Sequence, residues 1–240
     1  MIIFEKIHTC RVCGSDRIVK NGHNCCGSQQ YKCKACQAHR VLEPKLGYSP
    51  ARRAEVIRTY LERASLRGLS RIFGISRHTI TEWLRETLLT LPSLVETLLP
   101  AQPDDVLELD EVWSFVKTRS RKSWLWTALC RRTRQVVAAV IGNHSDTVCR
   151  LLWDRIPKTY KTCLTFSDFW QAYENVFPAE THQSVGKETG ETAHMERWNN
   201  TLRQRVGRFV RKTLSFSKDE WWHENITLWF ICHYNRSLTN

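Results

Sequence analysis

The sequence predicts a multidomain chain in which a small cysteine-rich module and an all-α segment precede an α/β domain. Two Cys-x-x-Cys pairs lie near the start, and helical periodicity covers the segment that follows them. After Val106, β-branched and aromatic runs alternate with helical patterns, which is typical of an α/β domain. The expected segments are a cysteine module at 1–45, three helices at 50–91, a linker at 92–104 and an α/β domain at 105–240 that ends in a helical tail.

The charge and hydropathy of the sequence favour a nucleic-acid-binding protein over a membrane protein or a secreted one. The chain of 240 residues has a formal net charge of +12, and its first 100 residues carry 16 Lys and Arg against 8 Asp and Glu. Residues 197–218 contain seven basic residues and no acidic one. Such surfaces most often bind nucleic-acid phosphates, although they can also be ordinary solvated faces. The sequence has no run of eighteen apolar residues and does not begin like a secretory signal, so we expect a cytoplasmic protein without a membrane partner.

The cysteine module has the spacing of a structural Zn²⁺ site. Nineteen residues separate the two Cys-x-x-Cys pairs, and each pair can direct two sulfurs at one ion. The ion would replace the apolar core that so short a segment cannot supply. The expected ligands are Cys10, Cys13, Cys33 and Cys36. Four further residues could substitute for a ligand, namely His23, Cys25, Cys26 and His39. A redox or disulfide cluster is the alternative interpretation.

The segment at 50–91 has the pattern of a helix-turn-helix. Gly74 suits the turn because glycine adopts positive φ without strain, and Ser76 can cap the helix that follows. That helix directs Ile80, Trp83 and Leu84 inward. Its outward side chains are short polar groups and long cations, which suit base edges and phosphates in a major groove. The candidate DNA-binding residues are Arg77, His78, Thr79, Thr81 and Arg85. A three-helix bundle with a solvated basic face is the alternative.

The third segment predicts three strands followed by alternating helices and strands. The expected strands are 106–115, 124–130, 135–141, 162–167 and 181–185, and the expected helices are 146–155, 169–176, one through Glu196 and one from about 218. This order is the arrangement of a ribonuclease H-like core. Ser145 or Asp146 can cap the first helix, and Ser217-Lys-Asp-Glu220 reads as a capping box for the last. Apolar contexts predict burial of Cys130, Cys149, Cys163 and Cys232.

Three separated acids are the candidate catalytic residues. Asp110 lies on the first of these strands, where Glu108 shares its face and Glu111 points with the bulky apolar side chains. Asp168 follows the apolar run CLTFS and precedes a helix, so helix capping is its alternative role. Glu196 lies on a helix at the rim of the core. Together the acids could hold two Mg²⁺ ions about 4 Å apart, which is the arrangement used for phosphoryl transfer.

The helix through Glu196 supports this interpretation. An apolar stripe with three- and four-residue spacing is formed by Met195, Trp198, Leu202, Val206 and Phe209. The adjoining polar face carries Glu196, Asn199, Asn200 and Arg203. Because Glu196 lies beside the buried stripe, it is expected at the rim of the core, where the carboxylates of Asp110 and Asp168 can approach it. The arginines that follow, Arg203, Arg205 and Arg208, could hold DNA phosphates near the metal.

These residues resemble those of a known family. DEVW with Asp110, SDFWQAYE with Asp168 and HMERWNNTLRQRVGRFVRKTLSFSK with Glu196 look like the catalytic segments of insertion-sequence-one family transposases. The zinc motif and the helix-turn-helix resemble the DNA-recognition part of that family, so the likeness covers almost the whole chain. It implies a DDE-type ribonuclease H-like domain that uses Mg²⁺ or Mn²⁺, with these three acids as metal-binding catalytic residues. Arg203 matches the basic position that follows the glutamate in many such enzymes, with Arg205 nearby.

The resemblance also implies a reaction and partners. Such enzymes recognise the terminal inverted repeats of their element, hydrolyse its ends and use the exposed 3′-hydroxyls to attack target DNA. We therefore expect double-stranded DNA as the partner, a homodimer or higher oligomer in synapsis, and association with a prokaryotic nucleoid. The alternatives are a non-catalytic, sequence-specific DNA-binding regulator and a ribonuclease H-like nuclease without strand transfer. The aromatic side chains of the tail could form core or an interface, and they are Trp221, Trp222, Trp229 and Phe230.

Overall fold

The computed structural model describes residues 7–24, 27–43, 47–210, 212 and 214–239. The chain divides into two compact units, Met1–Pro50 and Ala51–Asn240. Cys25 and Cys26, which could substitute for a zinc ligand, lie outside the described residues. In the described part of the chain, none of the helices is long and apolar enough to cross a membrane.

The first unit is built on three antiparallel strands. They are β1 (Ile18–His23), β2 (Gln29–Cys33) and β3 (His39–Arg40), in the order β1-β2-β3. Each Cys-x-x-Cys pair ends in a tight turn of the same kind. Gly14 and Gln37 have φ of 73° and 60°, and they donate their N–H groups to the carbonyls of Cys10 and Cys33 at 2.8 and 3.0 Å. Glycine adopts this left-handed conformation freely, whereas Gln37 adopts it at a small cost in strain.

The second unit begins with three helices, α1 (Pro50–Tyr60), α2 (Leu66–Phe73) and α3 (Arg77–Leu89). Gly74 ends α2 with a φ of 67°, and its N–H bonds to the carbonyl of Ser70. The Ser76 hydroxyl accepts the N–H of Thr79 at 3.1 Å and caps α3. Both local predictions are therefore confirmed. The inward side chains pack as one apolar cluster that includes Val56, Leu69, Ile75, Ile80, Leu84 and Leu88.

A five-stranded sheet follows. Its strands are β4 (Val106–Phe115), β5 (Lys122–Cys130), β6 (Val136–Gly142), β7 (Leu164–Ser167) and β8 (His182–Ser184). The spatial order is β6-β5-β4-β7-β8; the first three strands are antiparallel, while β7 runs parallel to β4 and β8 parallel to β7. The long strand β4 therefore lies at the centre and joins the two halves of the sheet.

Helices cover both faces of the sheet. On one face, α4 (Asp146–Arg155) and α5 (Gln171–Val176) pack against Leu107, Leu109, Trp126 and Val140. On the other, α6 (Ala193–Arg205) and α7 (Glu220–Ser237) pack against Val112, Leu125, Leu129 and Val136. The predicted apolar stripe of the α6 region is buried at every position, 6% exposed or less. Its last member, Phe209, lies in a short 3-10 turn beyond the end of α6.

The segment at 92–104 is docked on the sheet and on α7. It contains a 3-10 turn at Leu94–Thr97. Gln135, fully buried just before β6, accepts the N–H of Leu99 at 2.8 Å and donates to the carbonyl of Thr97 at 2.9 Å. Asn235 on α7 donates to the Thr97 hydroxyl at 2.9 Å. These buried amides hold the segment in one place relative to the sheet.

Four local predictions have different outcomes. The capping box at Ser217 is wrong, because Asp219 caps α7 by accepting the N–H of Trp222 at 3.2 Å. Ser145 precedes α4 but makes no side-chain bond to it. Among the tail aromatics, Trp229 and Phe230 belong to the core, whereas Trp221 is 38% exposed. Burial of the four isolated cysteines is confirmed, at 4% exposure or less for Cys130, Cys149, Cys163 and Cys232.

Candidate active site

Asp110 and Asp168 meet at the middle of the sheet. Glu108 of β4 is opposite Phe166 of the parallel strand β7, so Asp168, just beyond the end of β7, reaches the level of Asp110. Carboxylate oxygens of Asp110, Asp168 and Glu111 all lie within 4.8 Å of one another. The structure therefore brings together two of the three acids predicted from the sequence and adds a neighbouring one. We call these three residues the acid cluster.

Glu111 reaches the acid cluster from the opposite face of β4. The predicted alternation along the strand is confirmed, because Glu111 contacts the α5 layer and Asp110 contacts α6. Tyr173 of α5 donates its hydroxyl to Glu111 Oε2 at 2.7 Å, and His144 Nε2 lies 3.0 Å from Glu111 Oε1. Side chains from both faces of the sheet can reach Asp168, because this residue lies just beyond the last residue of β7.

Electrostatics in the acid cluster favour a bound cation. Burial raises the pKa of Asp110 to about 7, and the charges of Glu111 and Asp168 add to the rise. Burial also raises the pKa of Glu111 to about 7; the Tyr173 hydroxyl opposes that rise and the charge of Asp168 adds to it. Clustered carboxylates are the hard oxygen donors that Mg²⁺ and Mn²⁺ prefer. The donor set therefore fits a divalent cation, which would neutralise the mutual repulsion.

Asp168 makes a local hydrogen bond but does not cap α5, whose N-cap residue is Trp170. Its carboxylate accepts the N–H of Trp170 at 3.1 Å, just before α5 begins. Its remaining oxygen lone pairs face the acid cluster, where one of its oxygens lies within 4.8 Å of those of Asp110 and Glu111. The local hydrogen bond orients the side chain, and it does not exclude a role as a ligand.

Glu196, the third predicted acid, is not part of the acid cluster. It is exposed in the first turn of α6. Asn199, one turn further along, donates its side-chain amide to Asp110 Oδ2. The polar rim of α6 that carries Glu196 therefore does adjoin Asp110, but through the amide of Asn199. The catalytic role of Glu196 stays a prediction.

Glu108, the same-face neighbour of Asp110, anchors the start of α6. It is fully buried, and its carboxylate accepts the N–H groups of His194 and Met195 at 3.0 and 2.9 Å. It also pairs with His194 Nδ1 at 2.7 Å and Arg131 Nε at 2.9 Å. A carboxylate at a helix N-terminus satisfies free N–H groups and interacts favourably with the helix dipole. The sequence shows Glu108 only as a rival of Asp110, since its contacts with His194 and Met195 span more than eighty residues.

Arg205 and Arg208, predicted to hold phosphates, have partners inside the second unit. Arg205 pairs with Glu62, which follows α1, and lies 5.4 Å from the ring centroid of Phe230. Arg208 donates three hydrogen bonds of 3.0 Å, to the Tyr60 hydroxyl, the Ser217 hydroxyl and the Trp222 carbonyl. Both guanidinium groups thus connect α6 and the turn after it to α1. Phosphate binding by these two and by Arg203 on α6 stays a prediction.

The five residues predicted to read DNA lie along α3 in different surroundings. Arg77 and His78 are exposed at its first turn. The Thr79 and Thr81 hydroxyls form local bonds, to the Ser76 hydroxyl at 2.9 Å and to the Arg77 carbonyl at 2.8 Å. Arg85 is exposed, and its guanidinium lies 6.0 Å from the ring centroid of Trp222 on α7. Their contact with a major groove stays a prediction.

The four predicted zinc ligands come together in the first unit. Cys10 and Cys36 sulfurs are 3.6 Å apart, as are those of Cys13 and Cys33, and all four sulfurs lie within 4.8 Å of one another. Sulfurs around a tetrahedral Zn²⁺ are about 3.8 Å apart when the Zn–S bonds are about 2.3 Å. Backbone N–H groups of Cys13 and Val12 lower the pKa of Cys10 to about 6, whereas the neighbouring sulfurs raise the pKa of Cys13 to about 12. A cation is needed for all four to be thiolates together. The donor set therefore fits zinc, and His23 and His39 are not part of it.

Comparison with known proteins identifies the family. Residues 106–235 match the family model described as IS1 transposase. The chain is 38% identical over 128 residues to insertion element iso-IS1n protein InsB of Shigella dysenteriae, across 52% of this chain and 93% of that protein. It is 36% identical over 128 residues to insertion element IS1 protein InsB of Shigella flexneri, across 53% and 91%. Insertion element IS1 4 protein InsB of Escherichia coli strain K12 is 34% identical over 128 residues, across 53% and 71%.

The matched segment is the sheet with its helices, and it contains the whole acid cluster. An α/β domain with clustered carboxylates, preceded by a four-cysteine unit, is an arrangement suited to a metal-dependent enzyme that acts on DNA. The chain belongs to the IS1 transposase family. Membership in a family of transposases implies that the protein acts on DNA.

Proposed function

We propose that this chain is a DNA transposase that recognises the terminal inverted repeats of its element, cleaves at the ends and joins the 3′ ends to target DNA. One observation carries the proposal: Asp110 and Asp168 meet at adjacent parallel strands inside the segment that matches the family. Carboxylates placed in this way hold the divalent cations of two-metal phosphoryl transfer. Because the two element ends must be brought together before they are joined to the target, we propose that the protein acts as a homodimer or higher oligomer.

We also propose a ribonuclease H-like architecture for the α/β domain. The central strand β4, the antiparallel strands on one side and the parallel strands on the other support it, as do helices on both faces of the sheet. The proposed layout is a zinc ribbon at 1–45, a helix-turn-helix at 50–91, a linker at 92–104 and the DDE catalytic domain at 105–240. In this layout the first two modules choose the DNA end, with the exposed Arg77 and His78 on α3 as groove contacts.

The proposed ligands of the catalytic cations are Asp110, Asp168 and Glu196. When bound, Mg²⁺ or Mn²⁺ would activate the attacking water or 3′-hydroxyl and stabilise the leaving oxygen. The contribution of the chain itself is to hold these groups in place. Asp110 is oriented by two donors, the Asn199 amide and the Glu111 N–H, the latter 2.8 Å from Asp110 Oδ1. The Trp170 N–H orients Asp168. Glu108 anchors the helix on which Glu196 lies.

The proposal is tested by an assay of cleavage and joining. Purified chain is incubated with DNA that carries both ends of its element, a target plasmid and Mg²⁺, and cleaved and joined products are measured. Asp110→Asn, Asp168→Asn and Glu196→Gln are expected to bind end DNA normally but to form neither product. Glu174→Gln serves as the matched control, because Glu174 is an exposed acid on α5 outside the acid cluster.

Two results would contradict the proposed function. Specific binding of end DNA without cleavage by the wild-type chain would indicate a DNA-binding regulator. Cleavage without joining would indicate a nuclease of the same fold. Full activity of Glu196→Gln would remove that residue from the catalytic set while leaving the transposase assignment intact.

A further inference from the structure

We propose that Glu111 and the side-chain oxygen of Asn199 are additional ligands of the catalytic cation, beside Asp110 and Asp168. The inference rests on the proposed function, which places a divalent cation at the acid cluster. It differs from the sequence prediction, in which Glu111 belonged with the apolar side chains of β4 and Asn199 was only a polar neighbour of Glu196.

The end of β7 explains how two successive residues of one strand can serve one ion. Asp110 and Glu111 point to opposite faces of the sheet, and within a continuous sheet the backbone would separate them. Here β7 stops at Ser167, and the space beside β4 is filled by the side chain of Asp168. Oxygens from both faces therefore converge at this edge, within 4.8 Å of one another. A single ion can be reached by all three carboxylates.

Glu111 is held as metal-binding carboxylates usually are. Its side chain is only 9% exposed, and each of its two oxygens has one partner, Tyr173 at Oε2 and His144 at Oε1. A carboxylate has about four lone-pair sites, so two remain for a cation. Hydrogen bonds from outer residues commonly fix the orientation of ligating carboxylates. Glu111 is thus oriented in advance and still has lone pairs to offer.

Asn199 provides an independent observation that points to a cation. Its side chain is 3% exposed and its nitrogen donates to Asp110 Oδ2, yet its oxygen has no hydrogen-bond partner in the described part of the chain. Turning the amide over would place this oxygen against Asp110 Oδ2, where it is satisfied only when Asp110 carries a proton. When Asp110 is ionised, the buried amide oxygen lacks a positive partner in either orientation, which is costly. A divalent cation beside Asp110 supplies that partner.

A purely structural role is the competing explanation for Glu111. Tyr173 is fully buried, and its hydroxyl needs an acceptor, which Glu111 provides. The two explanations predict different cation affinities when Glu111 is replaced by glutamine. Glu111→Gln keeps an oxygen that can accept the Tyr173 hydroxyl but removes the negative charge. Tyr173→Phe removes the hydroxyl but keeps the carboxylate.

The experiment measures Mn²⁺ binding to the zinc-loaded full chain without DNA, by the electron paramagnetic resonance of free Mn²⁺. Glu111→Gln is expected to weaken Mn²⁺ binding at least about tenfold more than Tyr173→Phe does. The control Glu174→Gln should bind as the wild type does. Asn199→Leu is expected to weaken binding about tenfold, and Asn199→Asp to retain it. Circular dichroism checks that each variant is folded.

The possible results separate the inference from the proposed function. Wild-type affinity in Glu111→Gln, together with weak binding in Asp110→Asn, would show that Glu111 only anchors Tyr173. Wild-type affinity in Asn199→Leu would remove Asn199 from the ligand set. If Asp110→Asn binds Mn²⁺ as tightly as the wild type, the cation site of the proposed function fails and the inference fails with it. If Glu111→Gln does not fold, the double variant Glu111→Leu/Tyr173→Phe replaces it, because it removes the carboxylate without leaving the Tyr173 hydroxyl unpaired. Unchanged affinity relative to Tyr173→Phe would likewise reject the ligand role.

Discussion

Replacement of Glu108 by alanine should destabilise the second unit and release the start of α6. In the native protein the carboxylate is fully buried and has four donors, the N–H groups of His194 and Met195, the His194 ring and Arg131. Alanine leaves all four without this acceptor. Arg131 retains Glu191 at 2.7 Å, so its charge is not left entirely alone.

The size of the effect follows from these contacts. Breaking a buried ion pair by removing one partner costs about 3–5 kcal/mol, and each unsatisfied buried N–H costs about 1–3 kcal/mol. Because Arg131 is 29% exposed and keeps a second partner, the lower end applies. We expect Glu108→Ala to lower the free energy of unfolding by about 3 kcal/mol. Glu108→Gln, which keeps an acceptor for the helix N–H groups, should lose about half of that.

Urea unfolding followed by tryptophan fluorescence measures this difference. All ten tryptophans lie in the second unit, so the signal reports on that unit. A loss below about 0.5 kcal/mol in Glu108→Ala would refute the anchoring role assigned to this carboxylate. Under conditions where the variant is folded, cleavage activity should still fall, because α6 carries Glu196 and Asn199. Partial rescue of both properties by glutamine is the expected pattern.

Two further predictions concern pH and metal. Burial, with the charge of Arg208, lowers the pKa of His223 to about 4, so the folded protein resists protonation that the unfolded chain accepts below about pH 6.5. Stability should therefore fall by up to about 3 kcal/mol as the pH drops from about 6.5 to 4, and His223→Phe should flatten this dependence in urea titrations; an unchanged slope would contradict it. Cys33→Ser should reduce bound zinc, measured by atomic emission, from one ion per chain to none, whereas Cys149→Ser should leave it unchanged. Equal zinc in both variants would reject the four-cysteine site.

Much of the fold was predictable because local patterns and burial agree. The strands β4 to β6 and the helices α4 and α6 were expected from alternation and helical periodicity, and the apolar stripe on α6 is buried as predicted. The turn at Gly74 and the cap at Ser76 follow from short-range chemistry that involves only neighbouring residues. Such features depend on a few consecutive side chains, which the sequence shows directly.

Features that depend on distant residues were not predictable in the same way. The end of β7 at Ser167 was predicted, but its parallel pairing with β4, which places Asp168 beside Asp110 and Glu111, joins residues about sixty positions apart and was not. Ser217 fits a capping box by spacing, but Arg208 and His223 bind its hydroxyl. Arg205 pairs with Glu62 across 143 residues of sequence. In each case a tertiary partner competes with the local role, and only the fold reveals which one prevails.

A crystal of the full chain soaked in Mn²⁺ and measured for anomalous scattering would show directly whether the acid cluster binds the catalytic cation. We expect a peak between Asp110 and Asp168, with carboxylate oxygens at about 2.2 Å and with Glu111 and the Asn199 oxygen among its ligands. A peak bound by Asp110 and Asp168 without Glu111 would contradict the further inference alone. The absence of any peak at these residues, in protein that cleaves DNA with Mn²⁺, would contradict the assignment of the acid cluster as the catalytic centre.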